Sequence, residues 1–192
     1  MTPSDRREMP AVYEPAEDSR LLAETVEGRI DANALVLEVG VGSGYVAARI
    51  ESQTGARVIG TDLNPAACAS ARAAGVEAVR ADLLEPVRAQ IADVVCCNPP
   101  YLPTPPERAW DDPLEHALSG GEDGRRIVRP FLRDVGRVLR PGGRAYLLVS
   151  SLTGLEAVAD IAAGAGLRTR EVAEDSFPFE RLVVLEITRD NS

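Results

Sequence analysis

Four consecutive residues, Asn98, Pro99, Pro100 and Tyr101, carry groups that could hold a planar nitrogen. The Asn98 side chain has a carbonyl oxygen that accepts hydrogen bonds, and the Pro99 carbonyl is a second acceptor on a backbone that proline stiffens. The Tyr101 ring offers a flat face on which a planar group can stack. This combination suits a weakly nucleophilic nitrogen, such as a carboxamide or the exocyclic amine of a base. It predicts a catalytic role for Asn98, Pro99 and Tyr101, and substrate binding by the whole tetrapeptide.

The tetrapeptide follows an apolar run, residues 91–97, whose length is typical of a buried strand of a parallel sheet. Ligands bind at the carboxyl ends of the strands in open parallel sheets. An isolated Asn-Pro-Pro would more often belong to an ordinary proline-rich loop. Its place after a buried strand, and downstream of a glycine-rich loop, favours the functional interpretation.

The glycine-rich loop, Gly40-Val-Gly-Ser-Gly44, lies between a predicted strand over residues 34–39 and a predicted helix over residues 45–53. Glycines allow a tight turn and let the backbone approach a ligand closely. The spacing differs from the Gly-x-Gly-x-x-Gly of dinucleotide-binding proteins, which makes an NAD-dependent oxidoreductase less favoured. The candidate cofactor contacts in this loop are Gly40, Gly42 and Gly44.

An acidic residue, Asp62, ends the next predicted strand, residues 57–61. It lies roughly 20 residues beyond the glycine loop, which is the position from which a carboxylate accepts hydrogen bonds from ribose hydroxyls. The alternative role is to cap the following helix, residues 65–74. Asn64 can supply that cap with Pro65 in the first helical position, which would leave Asp62 for a ribose.

Two stretches carry a family resemblance. Asn98-Pro-Pro-Tyr101 resembles the signature of amino-group methyltransferases that use S-adenosylmethionine, and Val12-Tyr-Glu-Pro-Ala-Glu-Asp-Ser19 is similar to the opening of the HemK-type release-factor glutamine methyltransferases. The resemblance covers nearly the whole chain and points to the compact eukaryotic and archaeal branch. It implies transfer of a methyl group from S-adenosylmethionine to the glutamine of a Gly-Gly-Gln tripeptide in a class I translation termination factor.

The resemblance also implies further contacts with the cofactor. Ser19 would touch its methionine end, and Glu38 would face its cationic amino-acid group. Asp82 would hold the adenine amino group and Leu83 would contact it, although a loop aspartate is more often a solvated turn residue. Asn98 would touch the cofactor as well as the substrate. A turn into a helix behind the active site is implied for Gly120, Gly121, Gly124 and Arg125.

Strands and helices alternate along the chain. The stretch Arg140-Pro-Gly-Gly143 predicts the end of a helix before a strand over residues 144–150, and the chain closes with a predicted β-hairpin whose strands are residues 167–172 and 181–187. This order predicts one α/β domain over residues 1–192, of the Rossmann-like class I methyltransferase type. The sheet would have seven mostly parallel strands, one of them antiparallel, with helices on both faces. Residues 1–10 are expected to be flexible, and residues 102–118 to form a substrate lid. The aromatic residues at 176–179 are expected to pack within the hairpin or to contact substrate.

Composition excludes several classes of function. The 192 residues carry a net charge of −9 and no lysine, so polyanions such as nucleic acids are disfavoured partners. No apolar run approaches the ~20 residues of a membrane span, and we expect a cytoplasmic protein. The three cysteines lack metal-binding spacing and His116 is the only histidine, which predicts no metal site. We expect Cys68, Cys96 and Cys97 to be buried apolar residues in a reducing compartment.

The resemblance implies one partner besides the termination factor, a small zinc-binding activator subunit that pairs along the edge of the third strand, residues 76–80.

Rival functions remain open. An N6-adenine methyltransferase of DNA or RNA can share the tetrapeptide, although the acidic charge argues against it, and a protein lysine methyltransferase is compatible with the same residues. The intact glycines, Asp62 and Asn98 argue against a non-catalytic scaffold.

Overall fold

The computed structural model describes residue 12, residues 14–104 and residues 119–190. The predicted flexible residues 1–10, His116 and most of the predicted lid lie outside these ranges. The helices are α1 (Glu17–Glu27), α2 (Tyr45–Thr54), α3 (Pro65–Ala73), α4 (Val128–Val138) and α5 (Leu155–Gly164). The strands are β1 (Leu35–Val39), β2 (Arg57–Asp62), β3 (Glu77–Arg80), β4 (Ala92–Cys97), β5 (Leu139–Ser150), β6 (Leu167–Phe177) and β7 (Glu180–Arg189). A 3-10 turn, Ser151–Thr153, follows β5.

The strands form a seven-stranded sheet in the order β3-β2-β1-β4-β5-β7-β6. Only β7 runs antiparallel to its neighbours β5 and β6, which confirms the predicted sheet. The chain moves from β1 outward through β2 to β3, and then returns to the other side of β1 with β4. The direction of winding therefore reverses between β1 and β4, which is the point where open α/β sheets bind ligands.

Helices cover both faces of the sheet, as predicted. Side chains of α1, α2 and α3 pack on one face, and those of α4 and α5 pack on the other. Successive residues of a strand point to opposite faces, so Val36 joins the first layer and Leu37 joins the second. The continuous apolar runs of β1 and β4 follow from this burial on two sides.

Two predicted boundaries differ from the structure. Residues 140–143 were expected to separate α4 from a strand beginning at Arg144, yet β5 begins directly at Leu139. Leu139 pairs with Ala92 and Arg144 pairs with Val94, so the intervening residues form an irregularity in the ladder. Strand β6 continues to Phe177 rather than ending at Val172, because Ala173 and the polar residues 174–176 pair with β7.

None of the helices in the described ranges is long and apolar enough to cross a membrane.

Candidate active site

A cavity of about 860 Å³ opens at the carboxyl ends of β1, β2 and β4. It lies at the point where the winding of the sheet reverses. The predicted site residues that line it are Ser19, Glu38, Gly40, Gly42, Asp62, Asp82, Leu83, Asn98, Pro99, Pro100 and Tyr101. Residues scattered from the first helix to the end of β4 are therefore brought to one place by the topology.

The glycine loop is tied to the end of β2. The backbone N–H groups of Gly40 and Val41 both donate to the Thr61 carbonyl, at 2.8 and 2.9 Å. Gly40 and Gly42 have φ values of 75° and 51°, in the left-handed region that glycine tolerates. A Cβ at Gly40 would meet no atom within 4 Å, and one at Gly42 would meet only the Gly40 oxygen at 4.0 Å. The space above the loop is thus an open cradle that a ligand can enter.

Gly44, the third glycine of the loop, packs against a neighbouring helix. It does not line the cavity, and it is the N-cap of α2 with a φ of 85°. A Cβ there would lie 2.9 Å from the Cα atom of Ala71 in α3. Gly44 therefore allows α2 and α3 to pack closely beneath the loop, and the spacing of the three glycines could not distinguish this role from ligand contact.

We expect Gly44→Ala to lower the free energy of unfolding by about 2–4 kcal/mol, because it adds a backbone clash to left-handed strain. Gly40→Ala is the matched control: it carries the strain without the clash, so it should cost about 1 kcal/mol of stability and mainly weaken cofactor binding. Urea unfolding and cofactor titration of both variants measure the two effects. Equal losses of stability would contradict the packing role of Gly44.

Asp62 holds the turn between β2 and α3. Its Oδ1 accepts from the Asn64 N–H at 2.8 Å, and its Oδ2 accepts from the Gly42 N–H at 3.1 Å. The cap of α3 comes from Asn64, whose Oδ1 accepts from the Ala66 N–H at 2.9 Å, with Pro65 in the first turn. A carboxylate has about four acceptor positions, so Asp62 retains capacity for hydroxyl donors in the cavity.

Glu38 is a buried carboxyl group that lines the cavity. Its pKa is raised to about 8, chiefly by burial, and the nearby Asp62 charge adds to this effect while a hydrogen bond with the Ala47 backbone partly offsets it. Among the described residues, no group forms a hydrogen bond with its Oε2 atom. A buried carboxyl oxygen without a partner is costly unless a ligand satisfies it, and a cationic group would do so best.

Without cofactor, Glu38 should make the chain less stable as the pH rises. Its pKa is about 8 in the folded chain, whereas the ordinary pKa of a glutamate carboxyl is 4.5, so the folded state holds the proton more tightly. This contribution is complete below the unfolded pKa and is lost as the pH rises through 8. Urea unfolding between pH 5 and pH 8.5 measures the decline, which Glu38→Gln should remove. Parallel pH profiles for the two proteins would contradict the raised pKa.

The first turn of α1 contacts the tetrapeptide. The Asn98 Nδ2 group donates to the Ser19 hydroxyl oxygen at 3.5 Å, and the Tyr101 hydroxyl donates to Asp18 Oδ2 at 3.5 Å. Asp18 Oδ1 in turn accepts from the Ser19 backbone N–H at 2.5 Å. Both residues of α1 are buried. These contacts fix the orientation of the Asn98 amide, with Nδ2 toward α1 and Oδ1 available for a ligand.

Asp18 is a site residue that sequence reasoning missed. In the sequence it is one of several acidic residues in the first turn of a helix, where the helix dipole favours them. Its contact with Tyr101 joins residues 83 positions apart, and only the folded chain brings them together. Arg126 and Ile127, which also line the cavity, were likewise not predicted.

The turn before α4 packs behind the tetrapeptide, as the resemblance implied. Gly124 has a φ of 73°, and a Cβ there would lie 2.5 Å from the backbone carbonyl oxygen of Tyr101 and 2.9 Å from Thr153 Cγ2. Arg125 donates to the Thr153 carbonyl and pairs with Asp123 at 3.1 Å. The turn therefore joins the end of β4 to the turn that follows β5.

Asp82 and Leu83 lie on the β3 side of the cavity. Asp82 is exposed, and Leu83 has a φ of 46°, an uncommon value for a residue with a side chain. The Thr61 hydroxyl donates to the Leu83 carbonyl at 3.3 Å and helps to hold this conformation.

Across residue 12 and residues 14–104 and 119–190, no three His, Cys, Asp or Glu side chains are placed to hold a metal ion.

Comparison with known proteins defines the class. A family model described as a methyltransferase domain matches residues 36–119. A chain of the Mtq2–Trm112 complex of E. cuniculi, which is responsible for methylation of the eRF1 translation termination factor, has a TM-score of 0.77 at 29% identity. That match covers 94% of this chain and 99% of the other. A ribosomal protein L11 methylase of Lactobacillus delbrueckii shares the fold, with a TM-score of 0.70 at 15% identity over 94% and 82% of the two chains. The fold and the cavity are those of a class I methyltransferase that uses S-adenosylmethionine.

Sequence relatives define the family. A protein N5-glutamine methyltransferase of Methanocaldococcus jannaschii is 35% identical over 94% of this chain and 93% of its own length. The human methyltransferase HEMK2 is 33% identical over 93% and 90% of the two chains. A release factor glutamine methyltransferase of Moorella thermoacetica is 34% identical over 89% of this chain and 66% of its own length. The chain belongs to the protein N5-glutamine methyltransferase family, as its sequence predicted.

Proposed function

We propose that the chain methylates the side-chain amide nitrogen of the glutamine in a Gly-Gly-Gln tripeptide of a class I translation termination factor. The observation that carries the proposal is the position of Asn98-Pro99-Pro100-Tyr101. The tetrapeptide directly follows β4 and lines the same cavity as the glycine loop, so acceptor and cofactor would meet there. The relatives named for glutamine methylation and the eRF1-modifying neighbour support this choice of acceptor.

The cavity residues fit the cofactor. The open space above Gly40 and Gly42 admits a ligand, and the Glu38 Oε2 atom, which has no partner among the described residues, suits the ammonium group of an amino acid. Asp62 would accept from the ribose hydroxyls, and Asp82 and Leu83 would hold the adenine. Ser19 would contact the methionine end. When bound, S-adenosylmethionine supplies a methyl group on a sulfonium centre that leaves as a neutral thioether.

The chain's own part in the reaction is to position a poor nucleophile, because the lone pair of an amide nitrogen is delocalised. Asn98 Oδ1 and the Pro99 carbonyl would each accept one N–H of the glutamine amide. These two bonds orient the nitrogen and favour its partial pyramidalisation as the new N–C bond forms. The alkylated nitrogen is acidic and loses its extra proton to water without a strong base. Positioning of this kind can contribute several kcal/mol to lowering the barrier.

We also propose a small zinc-binding activator subunit that pairs along the β3 edge of the sheet. Strand β3 is an edge strand, and an unpaired edge is a template for another chain. Val79 on that strand and Leu63 beside it are exposed apolar side chains, which suits a protein partner. The similar chain in the Mtq2–Trm112 complex supports the idea of such a partner. Methylation of a translation factor would place the chain in the cytoplasm.

A methyl-transfer assay with labelled S-adenosylmethionine tests the proposed function. The acceptors are a termination factor, the same factor with Gln→Ala in its Gly-Gly-Gln tripeptide, and DNA, each with and without the activator subunit. We expect label on the unaltered factor alone, and no label when the enzyme carries Asn98→Ala.

Label on DNA alone would replace the proposal with adenine methylation. Label that persists on the Gln→Ala factor would point to another acceptor, such as a lysine. The comparison with and without activator shows whether the isolated chain is a complete enzyme.

A further inference from the structure

Four exposed apolar side chains lie on one side of the candidate active site. They are Leu102, Leu152, Phe177 and Phe179, with exposed fractions of 39%, 49%, 40% and 93%. Two other large exposed apolar residues in the described ranges, Leu63 and Val79, lie on the opposite side, near β2 and β3. We call the first four residues the edge patch.

The sheet topology places the edge patch beside the cavity. Leu102 directly follows Tyr101, and Leu152 is in the turn after β5, so both lie at the carboxyl edge of the parallel strands. Ser150 at the end of β5 pairs with Leu182 near the start of β7, which carries the β6–β7 hairpin to the same edge. Neighbouring strands are about 4.8 Å apart, so β7 lies on the order of 10 Å from β4.

Direct contacts connect the tetrapeptide to this hairpin. Gly124 packs between the Tyr101 carbonyl and the Thr153 side chain, so that no Cβ fits there. At the other end of the same short turn, the Ser151 hydroxyl accepts from the Arg181 N–H at 3.0 Å. The hairpin is therefore connected to the tetrapeptide through the turn after β5, and of the edge patch Leu102 also lines the cavity.

The hairpin tip is unusual in what it exposes. Residues 178–179 form a two-residue turn, a position normally filled by glycine, asparagine or aspartate. Phe179 is almost fully exposed there, so the expectation that the aromatic residues pack within the hairpin is wrong for it. Several apolar side chains gathered at one edge of an otherwise acidic protein indicate a surface that a partner covers.

We infer that the edge patch docks the folded acceptor protein, by contact with an apolar surface that flanks the loop carrying the reactive glutamine. The inference rests on the proposed function. A protein acceptor extends beyond the cavity when its glutamine reaches Asn98, and the edge patch is the apolar surface that begins at Tyr101. Aromatic side chains at such a position are typical anchors of a protein interface.

Kinetics with two acceptors test the inference. We would compare Phe177→Ser/Phe179→Ser with the wild-type chain on the folded termination factor and on a short peptide that contains Gly-Gly-Gln. We expect KM for the factor to rise about tenfold or more, since two apolar anchors are lost. The kcat for the factor, the kinetics on the peptide and the Kd for S-adenosylmethionine should change by less than about twofold. Phe179→Leu is the matched control, which keeps an apolar side chain and most of the affinity.

An unchanged KM for the factor would overturn the inference and leave the proposed function intact. An equal rise in KM for the peptide would also overturn it, because the substitution would then disturb the cavity itself. Two other outcomes would assign the edge patch to a different partner and also overturn the inference. One is that the wild-type chain forms a dimer that Phe179→Ser dissociates, and the other is that the substituted chain no longer binds the activator. Failure of the wild-type chain to modify either acceptor, even in the presence of the activator subunit, would instead refute the proposed function, and the docking role with it.

Discussion

Asn98→Ala should lower turnover by about 100- to 1,000-fold, the range observed when a positioned hydrogen-bonding group of an active site is removed. The Asn98 amide is oriented because its Nδ2 donates to the Ser19 hydroxyl, which leaves Oδ1 for the acceptor nitrogen. Alanine removes this acceptor while the glycine loop, Glu38 and Asp62 remain. The Kd for S-adenosylmethionine should therefore change by no more than a few-fold. Single-turnover methyl transfer and calorimetric titration measure the two quantities separately.

Ser19→Ala is the matched control for this prediction. It removes the partner that orients the Asn98 amide and leaves Oδ1 in place, so we expect a smaller loss of turnover, about tenfold. Turnover retained by Asn98→Ala would reject the mechanism. A loss that is explained entirely by weaker cofactor binding would show that Asn98 acts on the cofactor rather than on the acceptor.

The second large effect is expected for Asp62→Ala, which should weaken the binding of S-adenosylmethionine by about 100-fold. The carboxylate lines the cavity and accepts from the Gly42 N–H, so its loss removes acceptors for hydroxyl groups and also frees the glycine loop. Equilibrium dialysis or calorimetry with the cofactor measures the effect. The turnover at saturating cofactor should change much less than the affinity.

Asn64→Ala is the matched control, which tests whether the turn before α3 affects cofactor affinity through its stability alone. Asn64 caps α3 and is bonded to Asp62 through its backbone N–H, which the substitution keeps. We expect a loss of about 1 kcal/mol in the free energy of unfolding and little change in cofactor affinity. If Asn64→Ala weakened binding as much as Asp62→Ala does, the effect of Asp62 would come from the turn and not from contact with the cofactor.

The sequence predicted most of the fold because the strands that position the site are buried on both faces. The apolar runs that become β1 and β4 are closely followed by glycine or proline, and the predicted bounds agree with the observed strands to within one residue. The sequence also predicted the N-cap of α3, because an asparagine directly before a proline in the first helical position marks the start of a helix without any distant contact.

What the sequence could not predict depends on residues that are distant along the chain. Asp18 reaches Tyr101, and Gly44 meets Ala71, only after the helices have packed on the sheet. Residues 174–176 of β6 are polar and show no apolar alternation, so the sequence does not indicate their pairing with β7. The spacing of the glycines predicted the loop over residues 40–44. It could not show that Gly40 and Gly42 line the cavity while Gly44 packs against α3, because that depends on how α2 and α3 pack.

The burial of the cysteines has a consequence for labelling chemistry. Cys68, Cys96 and Cys97 are all buried, and burial raises the pKa values of the Cys96 and Cys97 thiols well above the ordinary value. At neutral pH these two thiols are protonated and poorly reactive toward maleimides. A fluorophore attached through Phe179→Cys would therefore have little competition from the native thiols. Because the chain also contains no lysine, amine-directed dyes have only the N-terminal amine to attack, so two probes can be placed independently on the native scaffold.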